Sequence, residues 1–509
     1  MNYVLGCDIG SQGIKTVLLS VDGKLEGQFG VSYGINYPQP GWAEQDPNIW
    51  VEALVESIRG LIAKTGVNPK KVVAIGLDAQ VDGLVAINAE GSPLRPAIIW
   101  MDRRATEQCQ KISNLISTEQ IKIITGLNLD PTHVAPKILW LEENEPEVFR
   151  SAMHFLLPGS YVAYCLTGEF GVDFSNASST MLMDIQLRIW SEELCSKLGI
   201  DIKKLAPIYP ATHIIGNLLE KYTEIFGLDP TIPVIIGSGD EHASCLVAGV
   251  ITPGLVCDIA GTGEPVCAAI DLPIFDPTGL LETHSHADPD LWLLENPGFV
   301  SGGMYRWFRD QFANKEFEEA AELGIDIYHI LSNEAGDVPV GSEGLIMLPC
   351  LMGAMTPTWN VDARGTFMGF TLAHKRRHFI RALLESCAYG LRDNTDQMKQ
   401  MGINISEIRS VGGGAKSQIW RQIKADVTGI PVSVPETVET AALGAGILAL
   451  VGSGLMKTIK EATDKVVNII VIIEPNLRNH AIYNDYYHLY RLTYFALLPV
   501  FKEAARISL

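Results

Sequence analysis

A chain of 509 residues is too long for a single hydrophobic core and is expected to divide into two or more domains. With 47% hydrophobic and 19% charged residues it reads as globular, and 59 acidic against 39 basic residues, a net charge of −20, argue against nucleic acid as a partner. The nine cysteines are scattered with no CxxC pair, and no run approaches the ~20 apolar residues of a membrane-spanning helix, so reduced thiols, no membrane partner and a cytoplasmic setting are expected.

The start reads as β structure, with no basic-then-apolar leader before it. Tyr3 to Asp8 is an apolar strand, Ile14 to Ser20 a second, and Asp22-Gly23 signals a hairpin into a third. Trp50 to Thr65 has helical periodicity and Lys71 to Leu77 reads as a buried strand. Strands and helices alternate to about residue 250, which favours an α/β domain. At Gly254 the pattern restarts: Cys7-Asp8-Ile9-Gly10-Ser11-Gln12-Gly13 has a counterpart in Cys257-Asp258-Ile259-Ala260-Gly261-Thr262-Gly263, identical at four of seven positions. Each copy opens one half of the chain, so two related domains facing a cleft are expected, spanning residues 1–250 and 251–455. Residues 456–509 form a tail whose stretch Asn479 to Ile507 reads as a helix packing back on the body.

Four segments could carry chemistry. Asp8 to Gly13 sets a carboxylate at a strand end before a turn rich in Gly and hydroxyl groups, with Lys15 nearby. Such a turn can hold a hydrated cation and offer N–H groups to phosphate, or it can be a plain hairpin capped by Asp8. Gly261-Thr262-Gly263 presents the same two alternatives. In the second segment, Val234-Ile235-Ile236 is a buried strand, Gly237-Ser238-Gly239 turns the backbone, and Asp240-Glu241 open a helix. A carboxylate held there suits a positioned base, and equally suits a helix cap. The third, Ser410 to Ser417, runs strand, glycine triplet, helix. It fails the P-loop pattern at Ser410 and Ala415, yet lets an adenine or phosphate approach the backbone, or simply packs a strand tightly on a helix. The fourth joins Leu77 to Gly83 with Trp100-Met101-Asp102-Arg103-Arg104, a possible hydroxyl-binding wall or a surface turn. His284 and His286 share a strand face, but no Cys or acidic residue has ligand spacing to them, and a structural role is expected. No GxGxxG follows the first strand, which disfavours a dinucleotide-dependent dehydrogenase.

In order and spacing these segments resemble the FGGY family of carbohydrate kinases, most closely its xylulokinase-like members, over almost the whole chain. Further matching stretches are Pro40-Gly41-Trp42-Ala43-Glu44-Gln45-Asp46-Pro47 with Trp50, Pro136-Lys137 with Trp140-Leu141, Leu166-Thr167-Gly168, Asp362-Ala363-Arg364-Gly365, and Ala441 to Ala445. The resemblance implies two actin/hexokinase-like (RNase H-like) α/β domains around a central cleft, with the sugar bound by the first half and ATP by the second, and a homodimer. It implies Asp240 as the catalytic base and Asp8 with Asp240 as holders of Mg²⁺. Gln80, Val81, Asp82, Trp100, Asp102 and Glu241 would bind the acceptor. Ser11, Gln12, Lys15, Gly261, Thr262, Gly263, Gly302, Gly303, Gly413, Gly414 and Ser417 would bind ATP.

The substrate side departs from the family pattern. Val81-Asp82 stand where xylulokinases carry Met-His and glycerol kinases Arg-Glu, Ser160 replaces an aspartate, and Ala354 replaces a glutamate. With Asp82, Asp240 and Glu241 on one pocket, a small neutral ketose or polyol is expected rather than a sugar acid. The rival from another class is a non-catalytic sugar or nucleotide sensor that keeps the two-domain clamp.

Overall fold

Asp8 stands directly across the first hairpin from Lys15, because strand Tyr3–Ile9 (β1) pairs antiparallel with Gly13–Ser20 (β2), and Leu25–Ser32 (β3) continues the meander. The computed structural model describes residues 1–437 and 441–508. Helix Pro47–Thr65 (α1) starts where the Asp46 side chain accepts from Asn48 N and Pro47 occupies the first turn, and it stops at left-handed Gly66. Strand Val72–Ala79 (β4) runs parallel to β1. After helix Val134–Asn144 (α2) come strands Ile214–Asn217 (β5) and Pro233–Gly239 (β6), and then helix Asp240–Val247 (α3). The first sheet has the order β5-β6-β4-β1-β2-β3.

The second half repeats the plan. Strands Leu255–Ile259 (β7) and Gly263–Ile270 (β8) form its antiparallel hairpin, followed by Glu282–Ser285 (β9) and Trp292–Val300 (β10). Helices Gly302–Phe312 (α4) and Arg376–Gln400 (α5) precede strand Glu407–Val411 (β11), which runs parallel to β7 as β4 does to β1. Helix Gln418–Thr428 (α6), strand Val432–Pro435 (β12), helix Ala441–Gly452 (α7), strand Ile469–Ile473 (β13) and helix Leu477–Ser508 (α8) complete the chain. The second sheet reads β9-β10-β8-β7-β11-β12-β13. The two α/β, actin/hexokinase-like domains expected from sequence are therefore present.

The halves are interlocked. α7 is apolar all round, the pattern of a buried helix, and its Leu443, Ile447, Leu448 and Leu450 join Val4, Ala74, Ile235 and Leu246 of the first half in one core. Each such side chain contributes roughly 1.5–3 kcal/mol of burial. From the other side, β9 docks on the first half through Thr283 N to Gly126 O (2.9 Å) and Ser285 N to Ser178 Oγ (3.1 Å). α8 lies on α5, where Tyr483 donates to Glu385 (2.8 Å) and Tyr487 to Asp393 (2.7 Å). No helix among the described residues is long and apolar enough to cross a membrane.

Candidate active site

Three parallel strands bring three carboxylates to one sheet edge. Asp8 of β1 is the register partner of Asp78 of β4, Asp78 that of Ser238 of β6, and Asp240 follows two residues later. Neighbouring strands lie about 4.8 Å apart, so the acids stand side by side. Asp8 and Asp240 are half-buried, while Asp78 behind them is only 1% exposed. Burial pushes the Asp8 carboxyl up to about 6, although Asp78 and Lys15 pull it down. Asp78 is held well above the carboxylate range by burial and then by Asp8; Asp240 likewise by burial, then by Glu241 and Asp8. Asp8 Oδ1 and both Asp78 oxygens have no hydrogen-bond partner among the described residues. Crowded acids with unmet oxygens of this kind suit a bound cation.

Asp240 does not cap its helix. Gly239 occupies the N-cap, and Asp240 is the first helical residue, accepting from Glu241 N at 3.1 Å. The junction is rigid: Gly239 N donates to Ser175 Oγ (2.9 Å), and Ser175 Oγ donates to Asp173. Gly237 has φ +77°, and a Cβ there would collide with Leu77 O of the neighbouring strand, so only glycine fits.

Beside the acids, a hydrogen-bonded set ties the first turn to the acceptor segments. Ser11 Oγ donates to Gln80 Oε1 (3.2 Å) and accepts from Trp100 Nε1 (2.8 Å), while Gln45 Nε2 reaches Ser11 O (2.7 Å) and Gln80 Nε2 reaches Gln45 Oε1 (3.0 Å). Ser11, assigned from sequence to the nucleotide, thus contacts residues assigned to the acceptor. Gln12 is exposed. Val81 packs on Gly239, where an added Cβ would meet Val81 Cγ1 at 2.6 Å. Asp82 takes φ +56° and faces His133 Nδ1 at 3.4 Å. Glu241 is half-buried and its carboxyl is pushed well up by burial and by Glu295. Asp102 corrects the sequence reading. Expected on the substrate wall, it is fully buried and spends both oxygens on Ala43 N (2.6 Å) and the Arg104 guanidinium (2.7–3.0 Å). Its part is to hold the wall together.

On the second half, three glycine segments meet at Ala260–Thr262. Gly302 N donates to Gly261 O (3.1 Å) and Gly303 N to Thr262 O (3.0 Å), while Gly414 N donates to Ala260 O (2.9 Å). A Cβ on Gly302 would collide with Gly261 O. Thr262, Gly263 and Gly413 are exposed, and nothing lies within 4 Å of a Cβ built on Gly413, so these backbones can accept a ligand. Ser417 caps α6 and stands 3.2 Å from Ser332 Oγ.

The repeated turn has opposite chemistry in its two copies. Asp258, the counterpart of Asp8, is fully buried and accepts from Lys424 Nζ (2.6 Å) and Ser410 Oγ (2.7 Å), with Glu264 2.9 Å from the same lysine. Sequence reasoning missed Lys424 and the buried chain Asp82–His133–Glu282 that crosses between the halves, and it held Asp78 only as part of the Leu77–Gly83 segment, with no role of its own. A charged residue inside an apolar strand was the available signal for Asp78. Outside this region, a groove of about 1010 Å³ lined by Phe29, Val51, Tyr222 and Phe226 lies against α1 and holds none of these residues.

Paired domains of this plan, one carrying an acid row and the other clustered glycine turns, fit the phosphotransferase that the resemblance implies. Residues 3–247 match the N-terminal-domain model and 258–453 the C-terminal-domain model of the FGGY family of carbohydrate kinases, and the chain belongs to that family. It is a carbohydrate kinase, and its substrates are a sugar and ATP. It is 31% identical over 497 residues to a xylulose kinase of Staphylococcus epidermidis, covering 96% of each chain. It is 32% identical over 467 residues to a gluconokinase of Bacillus subtilis, covering 91% of this chain and 90% of that one. Among solved structures, the xylulose kinase of Lactobacillus acidophilus superposes with a TM-score of 0.90 at 26% identity, covering 99% of this chain and 100% of that one.

Proposed function

We propose that the protein transfers the γ-phosphoryl group of ATP to a hydroxyl of a neutral ketopentose of the xylulose type, with Asp240 receiving the proton. The observation that carries this is the half-buried Asp240 side chain, one residue past the N-cap Gly239 and fixed by a rigid strand-to-helix junction beside Asp8 and Asp78. The acceptor oxygen bonds to the γ-phosphorus, the bond to the β–γ bridging oxygen breaks, the hydroxyl proton passes to Asp240, and ADP leaves. A sugar hydroxyl is a weak acid, so Asp240 orients the oxygen and takes its proton as the new bond forms. Asp8 and Asp240 would hold Mg²⁺, and the unpartnered oxygens of Asp8 and Asp78 fit a cation there. When bound, Mg²⁺ neutralises charge on the β- and γ-phosphates. The exposed backbone at Thr262, Gly263 and Gly413 lies open to the nucleotide, while the N–H groups of Gly302, Gly303 and Gly414 hold the turns together. ATP as donor and nine unpaired cysteines suit a cytoplasmic enzyme.

A neutral acceptor follows from the wall that would hold it. Asp82, paired with His133, and the Asp240 and Glu241 carboxyls, held up by burial, supply hydrogen-bonding groups for hydroxyls. Two basic side chains of this region are already spent: Lys137 donates to Asp82 O (2.6 Å) and Ile99 O (3.0 Å), and Arg104 is paired with Asp102 and Glu44. The gluconokinase relatives keep a sugar acid as the second reading. An ATP-consumption screen over pentuloses, polyols and sugar acids decides between them. Turnover of xylulose with no use of gluconate is expected; preference for gluconate overturns the acceptor assignment, and ATP use with none of them overturns the kinase reading of the site.

A further inference from the structure

His284, expected to be structural, lies in a cluster that sequence spacing could not reveal. Its ring on β9 converges with His242 from the first turn of α3 and Glu295 from β10, and one ligand atom from each lies within 4.8 Å of the others. All three are buried, at 5%, 1% and 3% exposed respectively. Both nitrogens of His242, Nδ1 of His284 and Oε2 of Glu295 have no hydrogen-bond partner among the described residues. Polar atoms buried this deeply are normally paired, and several unmet in one spot call for a partner. His286, the other histidine of the strand, is satisfied elsewhere, with Nε2 3.0 Å from Val250 O and Nδ1 accepting from Asp288 N.

We infer that His242, His284 and Glu295 form a binding site for one divalent transition-metal ion of the zinc class. Two imidazoles and a carboxylate are borderline ligands that suit zinc, whereas magnesium prefers all-oxygen sites and keeps its waters. An ion centred among three atoms at the 4.8 Å limit would sit about 2.8 Å from each, so shifts of less than about 1 Å reach the 2.0–2.2 Å of zinc bonds. An outer carboxylate stands ready as well: Glu282 lies 3.8 Å from His284 Nε2 and 3.9 Å from His133 Nε2. The ion would join α3 of the first half to β9 and β10 of the second, two residues beyond Asp240. It would thereby fix the helix start that carries that carboxylate. The site shares no ligand with the acid row of Asp8, Asp78 and Asp240, though Glu295 meets Glu241 next to Asp240, and its ligand set differs in kind.

The test uses the full-length protein, stripped with EDTA, exposed to Zn²⁺ in the presence of excess Mg²⁺, desalted and assayed for metal by mass spectrometry. One zinc per chain is expected in the parent and a loss to background in His284→Ala and Glu295→Ala, with zinc raising the melting temperature of the parent alone. Cobalt loaded into the unmutated protein should give visible d–d bands without thiolate charge transfer, a readout that needs no variant and separates this site from Cys245 on the same helix. Failure of the parent to retain zinc, retention by His284→Ala equal to the parent, or a thiolate–cobalt band would each overturn the site.

Discussion

Replacing Lys424 by Met tests whether the second copy of the repeated turn is held up by a buried ion cluster. The lysine is 2% exposed, its ammonium is 2.6 Å from Asp258 and 2.9 Å from Glu264, and both acids are fully buried. Burial, opposed by Lys424 and reinforced by Asp258, holds Glu264 up at about 8. Without the lysine, the two acids stay buried with their counter-charge gone. Removing one partner of a buried pair costs about 3–5 kcal/mol, and taking the lower end gives about 3 kcal/mol. At about 2–4 °C per kcal/mol for a domain of this size, the melting temperature should fall by roughly 6–12 °C in a calorimetric scan. Adding Asp258→Asn should recover at least half of the loss. Since Asp258 lies directly below the 260–263 turn, the KM for ATP should rise in the single variant and recover in the double. A fall of less than about 2 °C, or a double variant no better than the single, would refute the reasoning.

Gly302→Ala should drive its methyl into Gly261 O and displace the turn. Overpacking of about 1–3 kcal/mol predicts a KM for ATP raised about 5- to 150-fold in steady-state assays, with the KM for the acceptor little changed. Trp100→Phe removes the 2.8 Å bond to Ser11 Oγ, worth about 0.5–1.5 kcal/mol, and should raise the acceptor KM about 2- to 13-fold. Burial pulls the His133 imidazole down, but Asp82 and Glu282 outweigh it and hold it well above its ordinary value. A group raised on folding stabilises fully below its unfolded value of about 6.5, and that stability is lost as pH climbs through the folded value. Melting temperatures across the alkaline range should therefore fall for the parent and stay flatter for His133→Gln; parallel curves would remove His133 from this role.

The elements that carry strong periodicity were legible in the sequence: the opening hairpin, α1, β4, the β6–α3 junction and α8 lie within a few residues of where apolar pattern and turn residues set them. The repeat of Cys7–Gly13 at Cys257–Gly263 foretold the shared plan of the two sheets. It could not foretell that Asp8 would stay half-buried while Asp258 is sealed by Lys424, because the lysine lies 166 residues away and only strand β11 and helix α6 bring it there. Asp102 misled for a related reason. A carboxylate next to Trp100 reads as a ligand group until Arg104 and Ala43 N are seen to occupy it. His284 was judged by sequence spacing, whereas its partners His242 and Glu295 come from a helix and a strand on different halves. Asp240 was evenly balanced between cap and base on local residues. The structure puts Gly239 at the N-cap and Asp240 one residue on, with Oδ1 still accepting from the first-turn Glu241 N.

The most direct test of the central claim is single-turnover phosphoryl transfer by Asp240→Asn, measured with γ-labelled ATP and the acceptor found in the screen. The account predicts a rate lower by roughly 10²–10⁴-fold, the scale of a positioned base. Transfer within about threefold of the parent, against that scale, would contradict it and remove Asp240 from the chemistry.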